Sequence, residues 1–133
     1  MLRISTPLPE ELERLVHDTI GCCIAVHREL GPGLLEHVYE RAIASELTAA
    51  HISFECEAKI PIMYRGQFLC EQRLDFVVAA RLVLEIKSVE HLVPLHHAQI
   101  LSYMRVGRFP VGLLINFNVP ILQDGIKRKI LSK

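Results

Sequence analysis

Two short apolar segments of this chain carry ionisable residues where burial would normally exclude charge. Leu74–Val78 contains Asp75, and Leu82–Lys87 contains Glu85 and Lys87. Both segments have the length and composition of β-strands, in which successive side chains point to opposite faces. Glu85 and Lys87 therefore share one face of their strand. If the two strands are neighbours, Asp75 can meet both of them on one side of the sheet.

Asp75, Glu85 and Lys87, if brought together on one face, could bind a cation. Two carboxylates held together repel each other, and one of them is pushed towards protonation unless a cation lies between them. A site rich in carboxylate oxygen suits a hard divalent ion such as Mg²⁺ or Mn²⁺. Lys87, one pleat beyond Glu85, would then stabilise a developing phosphate charge or help to position water. The structural alternative is a salt bridge on a half-exposed strand face, contributing ~0–1 kcal/mol.

The strand that carries Asp75 is expected to have one apolar face and one mixed face. Its partner towards the amino terminus alternates from Ile52 to Tyr64, and Arg65-Gly66 between them is a plausible hairpin turn. A strict two-residue turn would place Cys56 opposite Asp75, so we expect a bulge or a longer loop to reset the register. Strict alternation predicts Leu74, Phe76 and Val78 on the apolar face and Arg73, Asp75 and Val77 on the other.

The remaining patterns predict an α/β domain spanning residues 1–133, in the order helix, helix, three strands, helix, strand. Gly31-Pro32-Gly33 separates the first two helices. The tail after Asp124-Gly125 fits either a strand or a helix, and its cations fit either a local basic patch or a solvated end. The expected elements are a loose arm over 1–8, helices over 9–30, 34–50 and 94–106, and strands over 52–64, 67–78, 82–87 and 111–116.

Composition limits the possible functions. Fifteen basic and fifteen acidic residues give a formal net charge of zero, which argues against a protein that coats nucleic acid through bulk charge. No apolar run is long enough to span a bilayer and no signal-peptide pattern is present, so a cytoplasmic protein without membrane contact is expected. The apolar composition makes a homodimer plausible. The four cysteines lack zinc-site spacing, and we expect them to be reduced and mostly buried.

Three motifs then give the chain a family resemblance. Asp75-x9-Glu85-x-Lys87 resembles the PD-(D/E)xK nuclease superfamily, in which an Asp and a Glu-x-Lys on adjacent strands hold the catalytic metal. Gln99-x3-Tyr103 resembles the exonuclease domains of bacterial recombination helicases, a branch of that superfamily. Gly33-x2-Glu36-x2-Tyr39 resembles the signature of the small bacterial GxxExxY proteins. The resemblance extends from about residue 20 to 131.

The resemblance implies a fold, a cofactor and a substrate. The fold would be a restriction-endonuclease-like core with a mixed four-stranded sheet flanked by helices. The cofactor would be Mg²⁺ or Mn²⁺, and the partner would be nucleic acid, DNA ahead of RNA, bound with or without a helper protein. The implied roles are metal ligation by Asp75, Glu85, the Ile86 carbonyl and Glu36, catalysis by Asp75, Glu85 and Lys87, and substrate contact by Gln99 and Tyr103.

Other interpretations of these residues stay open. Glu36 is also explained as a charge that favours the start of a helix. Gln99 and Tyr103 would equally suit a half-buried polar pair, and Leu74 stands where the superfamily name has proline. The competing function is a non-catalytic binding or regulatory subunit that keeps the nuclease scaffold.

Overall fold

The computed structural model describes residues 8–131, so most of the expected amino-terminal arm, residues 1–7, lies outside the described residues. Leu8, the described end of that arm, is buried against the core. Gly31 and Gly33 adopt positive φ angles of 70° and 101°, which glycine allows, and they separate the first two helices as predicted. The helices are α1 (Glu10–Leu30), α2 (Glu36–Ala49) and α3 (Pro94–Gly107), and the strands are β1 (Phe54–Tyr64), β2 (Gln67–Val78), β3 (Leu82–Lys87), β4 (Val111–Asn116) and β5 (Ile126–Ile130).

The strands form one mixed sheet in the order β1-β2-β3-β4-β5, parallel only between β3 and β4. The expectation of four strands was wrong, because the basic tail adds β5 antiparallel to β4. Ile126 and Ile130 of β5 pack against the core, whereas Arg128 of the same strand forms an ion pair with Glu13 of α1. The α/β architecture is compatible with the predicted restriction-endonuclease-like core.

Apolar residues on the two faces of the sheet form two separate cores. The larger core joins α1 and α2 to the sheet and includes Leu84 and Ile86 of β3. The smaller core joins α3 to the sheet and includes Val83 of β3 and Leu114 of β4. A central strand covered on both faces is apolar on both, so Glu85, on the α3 side of β3, is an exception that needs an explanation.

The side-chain alternation of β2 breaks at Asp75. Phe76 belongs to the core under α1 and α2, but Leu74 belongs to the core under α3, so the prediction that these two share a face was wrong. Glu57, next to Ala58 in β1, has a φ of 51°, which strand residues rarely adopt. The ladder pairs Cys56 with Phe76 and Ala58 with Leu74 but omits Glu57 and Asp75, so both strands are irregular at the point where the faces exchange.

The hairpin between β1 and β2 contains the expected irregularity. Its register shifts between Ile62 and Met63, with the result that Cys56 lies opposite Phe76 rather than Asp75. Cys22 and Cys23 are buried, but Cys56 and Cys70 lie exposed on the hairpin, so the expectation of mostly buried cysteines holds for only two of the four. Within residues 8–131, none of the helices combines the length and the hydropathy that a membrane span requires.

Candidate active site

The candidate site lies where β2 and β3 separate. Their paired residues run from Val78–Leu82 to Phe76–Leu84. At the next position, side chains supply the hydrogen bonds. The backbone N–H of Asp75 donates to Oε2 of Glu85 at 2.9 Å, and the backbone N–H of Ile86 donates to Oδ2 of Asp75 at 2.8 Å. Each carboxylate is thus fixed through one oxygen to the opposite strand, and its second oxygen can bind a cation.

Burial and mutual repulsion make this pair of carboxylates expensive to ionise. Glu85 is only 6% exposed, and burial together with the charge of Asp75 raises its pKa to about 8, despite the hydrogen bond from the Asp75 N–H and the charge of Lys87. Burial also raises the pKa of Asp75, opposed by the Ile86 N–H and by Lys87. One lysine therefore does not neutralise the two carboxylates, and a further positive charge would stabilise both.

Two acids of α2 face the same centre. Glu36, at the first position of the helix, and Glu40, one turn later, are both half-buried. Burial raises the pKa of Glu40 to about 7, with further contributions from the charges of Asp75, Glu36 and Glu57. Glu40 was not predicted as a site residue, although its i+4 spacing from Glu36 placed both on one helix face.

Tyr39, the last residue of the Gly33-x2-Glu36-x2-Tyr39 motif, makes hydrogen bonds to the loop that precedes α2. The fully buried Tyr39 donates its hydroxyl hydrogen to the Gly31 carbonyl at 2.6 Å and accepts a hydrogen bond from the Leu34 N–H at 3.1 Å. Ser88, which directly follows Lys87, donates to the Leu34 carbonyl at 2.6 Å. These bonds join the loop that directly precedes Glu36 to the end of β3 that carries Lys87.

On α3, Tyr103 lies close enough to the carboxylates for their charges to act on it. Burial raises the pKa of its hydroxyl, and the charges of Glu85 and Asp75 add to the effect. Gln99 lies one turn earlier, half-buried, and its side chain makes no hydrogen bond to any residue of the described range. Its amide is therefore available to a ligand.

The carboxylates of Asp75 and Glu85 are suitable ligands for one divalent cation. Among residues 8–131, no three His, Cys, Asp or Glu side chains gather around a common metal position. This does not argue against Mg²⁺, which proteins often bind through one or two carboxylates while water and substrate phosphate complete its coordination. The Ile86 N–H faces Asp75, and the C=O of a strand residue points to the same side as its N–H. The Ile86 carbonyl therefore lies towards the gap between β2 and β3.

An α/β protein with an Asp and a Glu-x-Lys at the point where two strands diverge has the arrangement expected of the PD-(D/E)xK fold. The comparison with protein families agrees: the model of the PD-(D/E)XK nuclease superfamily matches residues 13–129. The chain belongs to that superfamily, whose members generally use divalent metal ions. No curated protein and no solved structure gives a significant match to the chain.

Proposed function

We propose that this protein is a divalent-metal-dependent nuclease that hydrolyses phosphodiester bonds in nucleic acid, with DNA as the expected substrate. The observation that carries the proposal is the pair of crossed hydrogen bonds, Asp75 N–H to Glu85 and Ile86 N–H to Asp75. They hold two buried, mutually repelling carboxylates together, an arrangement that costs stability without a cation and is therefore hard to explain as a purely structural feature.

Asp75, Glu85 and the Ile86 carbonyl would hold the ion, which is Mg²⁺ or Mn²⁺ from the chemistry of the oxygen donors. When bound, such an ion polarises a phosphoryl oxygen and lowers the pKa of coordinated water. The hydrogen bonds from the opposite strand fix both carboxylates before any ligand arrives, so little rearrangement is needed. Glu36 would be a further acidic ligand, either directly or through water.

The remaining site residues would act on the substrate. The Lys87 ammonium would offset negative charge that develops on the phosphate as the bond breaks. Tyr103 and Gln99, one helical turn apart, would contact the nucleic-acid strand beside the carboxylates. Glu40, whose pKa is raised to about 7 in the absence of a cation, is well suited to hold or release a proton at neutral pH.

The experiment is a cleavage assay on single-stranded, duplex and branched DNA, with Mg²⁺, with Mn²⁺ and with a chelator. We expect metal-dependent cleavage by the natural sequence and its loss in Asp75→Ala and Lys87→Ala. Lys59→Ala is the matched control, because Lys59 lies exposed on β1 and removing it takes away the same charge. Thermal unfolding of each variant establishes that the fold is intact.

Two results would contradict the proposal. One is cleavage that survives in well-folded Asp75→Ala and Lys87→Ala, since neither residue would then be needed. The other is the absence of cleavage on every substrate despite metal uptake, measured by calorimetry. That second result would favour the non-catalytic binding or regulatory subunit.

A further inference from the structure

The register of the sheet places a lysine of β5 on the same face as Glu85. Glu85 lies opposite Leu114 of β4, and Leu114 lies opposite Lys127 of β5. Residues in such a row point to one face of the sheet, and Leu114 packs in the core under α3. Since neighbouring strands are about 4.8 Å apart, the backbone of Lys127 lies about 10 Å from that of Glu85.

A second lysine of β5, Lys129, lies on the same face of the sheet as Lys127. Lys129 lies two residues after Lys127 and therefore on the same face, and its Nζ donates a hydrogen bond to Nδ1 of His97 on α3 at 2.8 Å. Arg128, between them, points to the opposite face, where it pairs with Glu13 of α1. Of the three consecutive cations of β5, Lys127 and Lys129 therefore lie on the α3 side of the sheet, and Arg128 does not.

The charge of the chain is divided between the two sides of the sheet. From His91 to Gln123, which includes all of α3 and β4, the sequence contains no Asp or Glu. In contrast, the first turn of α1 alone has three acids, Glu10, Glu11 and Glu13. The net charge of zero therefore conceals a basic side, formed by α3 and β5, next to the carboxylate centre.

A cavity of about 270 Å³ opens beside Lys127 and His97. Asn116, which lies opposite Lys87 in the ladder between β3 and β4, lines it, so the cavity is at the sheet edge where β3 ends. Glu90 and Asp124, which also line it, are exposed to solvent. The cavity's cationic and imidazole lining consists of His91, His97 and Lys127.

We infer that Lys127 and Lys129 bind the phosphate backbone of the nucleic-acid strand that enters the centre. We refer to these two lysines and His97 as the α3–β5 patch. Its distance of about 10 Å from Glu85 equals roughly three nucleotides of stacked DNA at 3.4 Å per nucleotide. The patch would therefore hold the strand within a few nucleotides of the reacting bond, without reading its sequence. This inference rests on the proposed function.

The test measures binding without chemistry. The full chain is titrated onto a fluorescein-labelled 20-nucleotide single-stranded DNA and the matching duplex, in a chelator, at several salt concentrations, with anisotropy as the readout. Loss of one phosphate contact should weaken single-strand binding about fivefold at 0.1 M salt and reduce the slope of log K against log salt by about 0.7. Lys127→Gln is the main variant, because the Lys127 side chain is exposed and makes no hydrogen bond within the described residues.

Further variants sharpen the result. Lys129→Gln should give a loss similar to that of Lys127→Gln. Arg128→Gln removes the same charge from the same strand but on the other face, and it should leave affinity and salt slope unchanged. Asp124→Asn should tighten binding, because it removes a negative charge from the cavity lining.

The inference is overturned if Lys127→Gln and Lys129→Gln bind like the natural sequence, if Arg128→Gln loses as much affinity as they do, or if neither DNA binds at low salt. These outcomes are separable from the fate of the proposed function. Lysine-dependent binding in the chelator, together with no cleavage in the separate assay with metal, would leave the patch intact and refute the nuclease. Cleavage with unchanged binding by the lysine variants would refute the patch alone.

Discussion

Replacing Glu85 by Gln should stabilise the metal-free protein. Glutamine keeps an oxygen that can accept the hydrogen bond from the Asp75 N–H, but it removes the charge that Asp75 and burial oppose. The folded-state pKa of Glu85 is about 8, well above its ordinary value of 4.5. A group with a raised pKa contributes its full stability below the unfolded pKa, and that stability is lost as pH rises through the folded pKa.

The magnitude follows from the same two values. Each pKa unit corresponds to about 1.4 kcal/mol. Because Glu85 ionises more readily in the unfolded chain, it lowers the unfolding free energy by about 1 kcal/mol at pH 5, about 3 kcal/mol at pH 7 and about 5 kcal/mol at pH 9. Because Glu85 is buried, solvent does not screen this cost appreciably. Glu85→Gln should therefore exceed the natural sequence in unfolding free energy by an amount that grows with pH over this range.

The assay is urea unfolding in a chelator at pH 5, 7 and 9. Glu71→Gln is the matched control, since Glu71 is an exposed residue of β2 and its change should stay within about 0.5 kcal/mol. Adding Mg²⁺ at about a hundred times its dissociation constant should raise the unfolding free energy of the natural sequence by about 2.7 kcal/mol. The unfolding free energy of the variant should rise much less. A variant less stable than the natural sequence at pH 9, or a difference that does not depend on pH, would refute this reasoning.

Two further predictions concern side chains outside the carboxylate pair. Tyr39→Phe should lower the unfolding free energy by about 1–3 kcal/mol, because it leaves the Gly31 carbonyl and the Leu34 N–H without their shared partner. An unchanged urea midpoint would show that these two hydrogen bonds do not stabilise the fold. Thr19→Val should raise the unfolding free energy by about 1 kcal/mol, because the buried Thr19 hydroxyl has no hydrogen-bond partner within the described residues. Calorimetric melting that shows Thr19→Val to be destabilised would indicate that this hydroxyl is satisfied.

Local pattern was enough for the elements that have a strong period. β3 and β4 begin and end at the residues expected, because each is a short apolar run between turn residues. The sequence pattern does not distinguish a strand from a helix at β5, because three consecutive cations between two isoleucines carry no local signal for a strand. It is formed by pairing with the edge of β4 and is joined by the ion pair to Glu13 of α1, a residue more than a hundred positions away, and neither contact can be read from β5 itself.

The candidate site shows the same division. Alternation predicted that Glu85 and Lys87 share a face and that Asp75 can meet them if the two strands are neighbours. The strands are neighbours, and hydrogen bonds between them bring Asp75 and Glu85 together. The exchange of faces at Leu74 was not predictable, because it coincides with a break in the ladder beside Glu57, a left-handed residue of another strand. The contribution of Glu40 also depends on how α2 docks, which no pattern within α2 specifies.

The central claim is that Asp75 and Glu85 share one cation, and a crystal structure with millimolar Mn²⁺ tests it most directly. We expect an anomalous density peak within about 2.5 Å of one oxygen from each carboxylate and close to the Ile86 carbonyl. A well-ordered site with no peak between the two carboxylates, at a manganese concentration that does not inhibit crystal growth, would contradict the account.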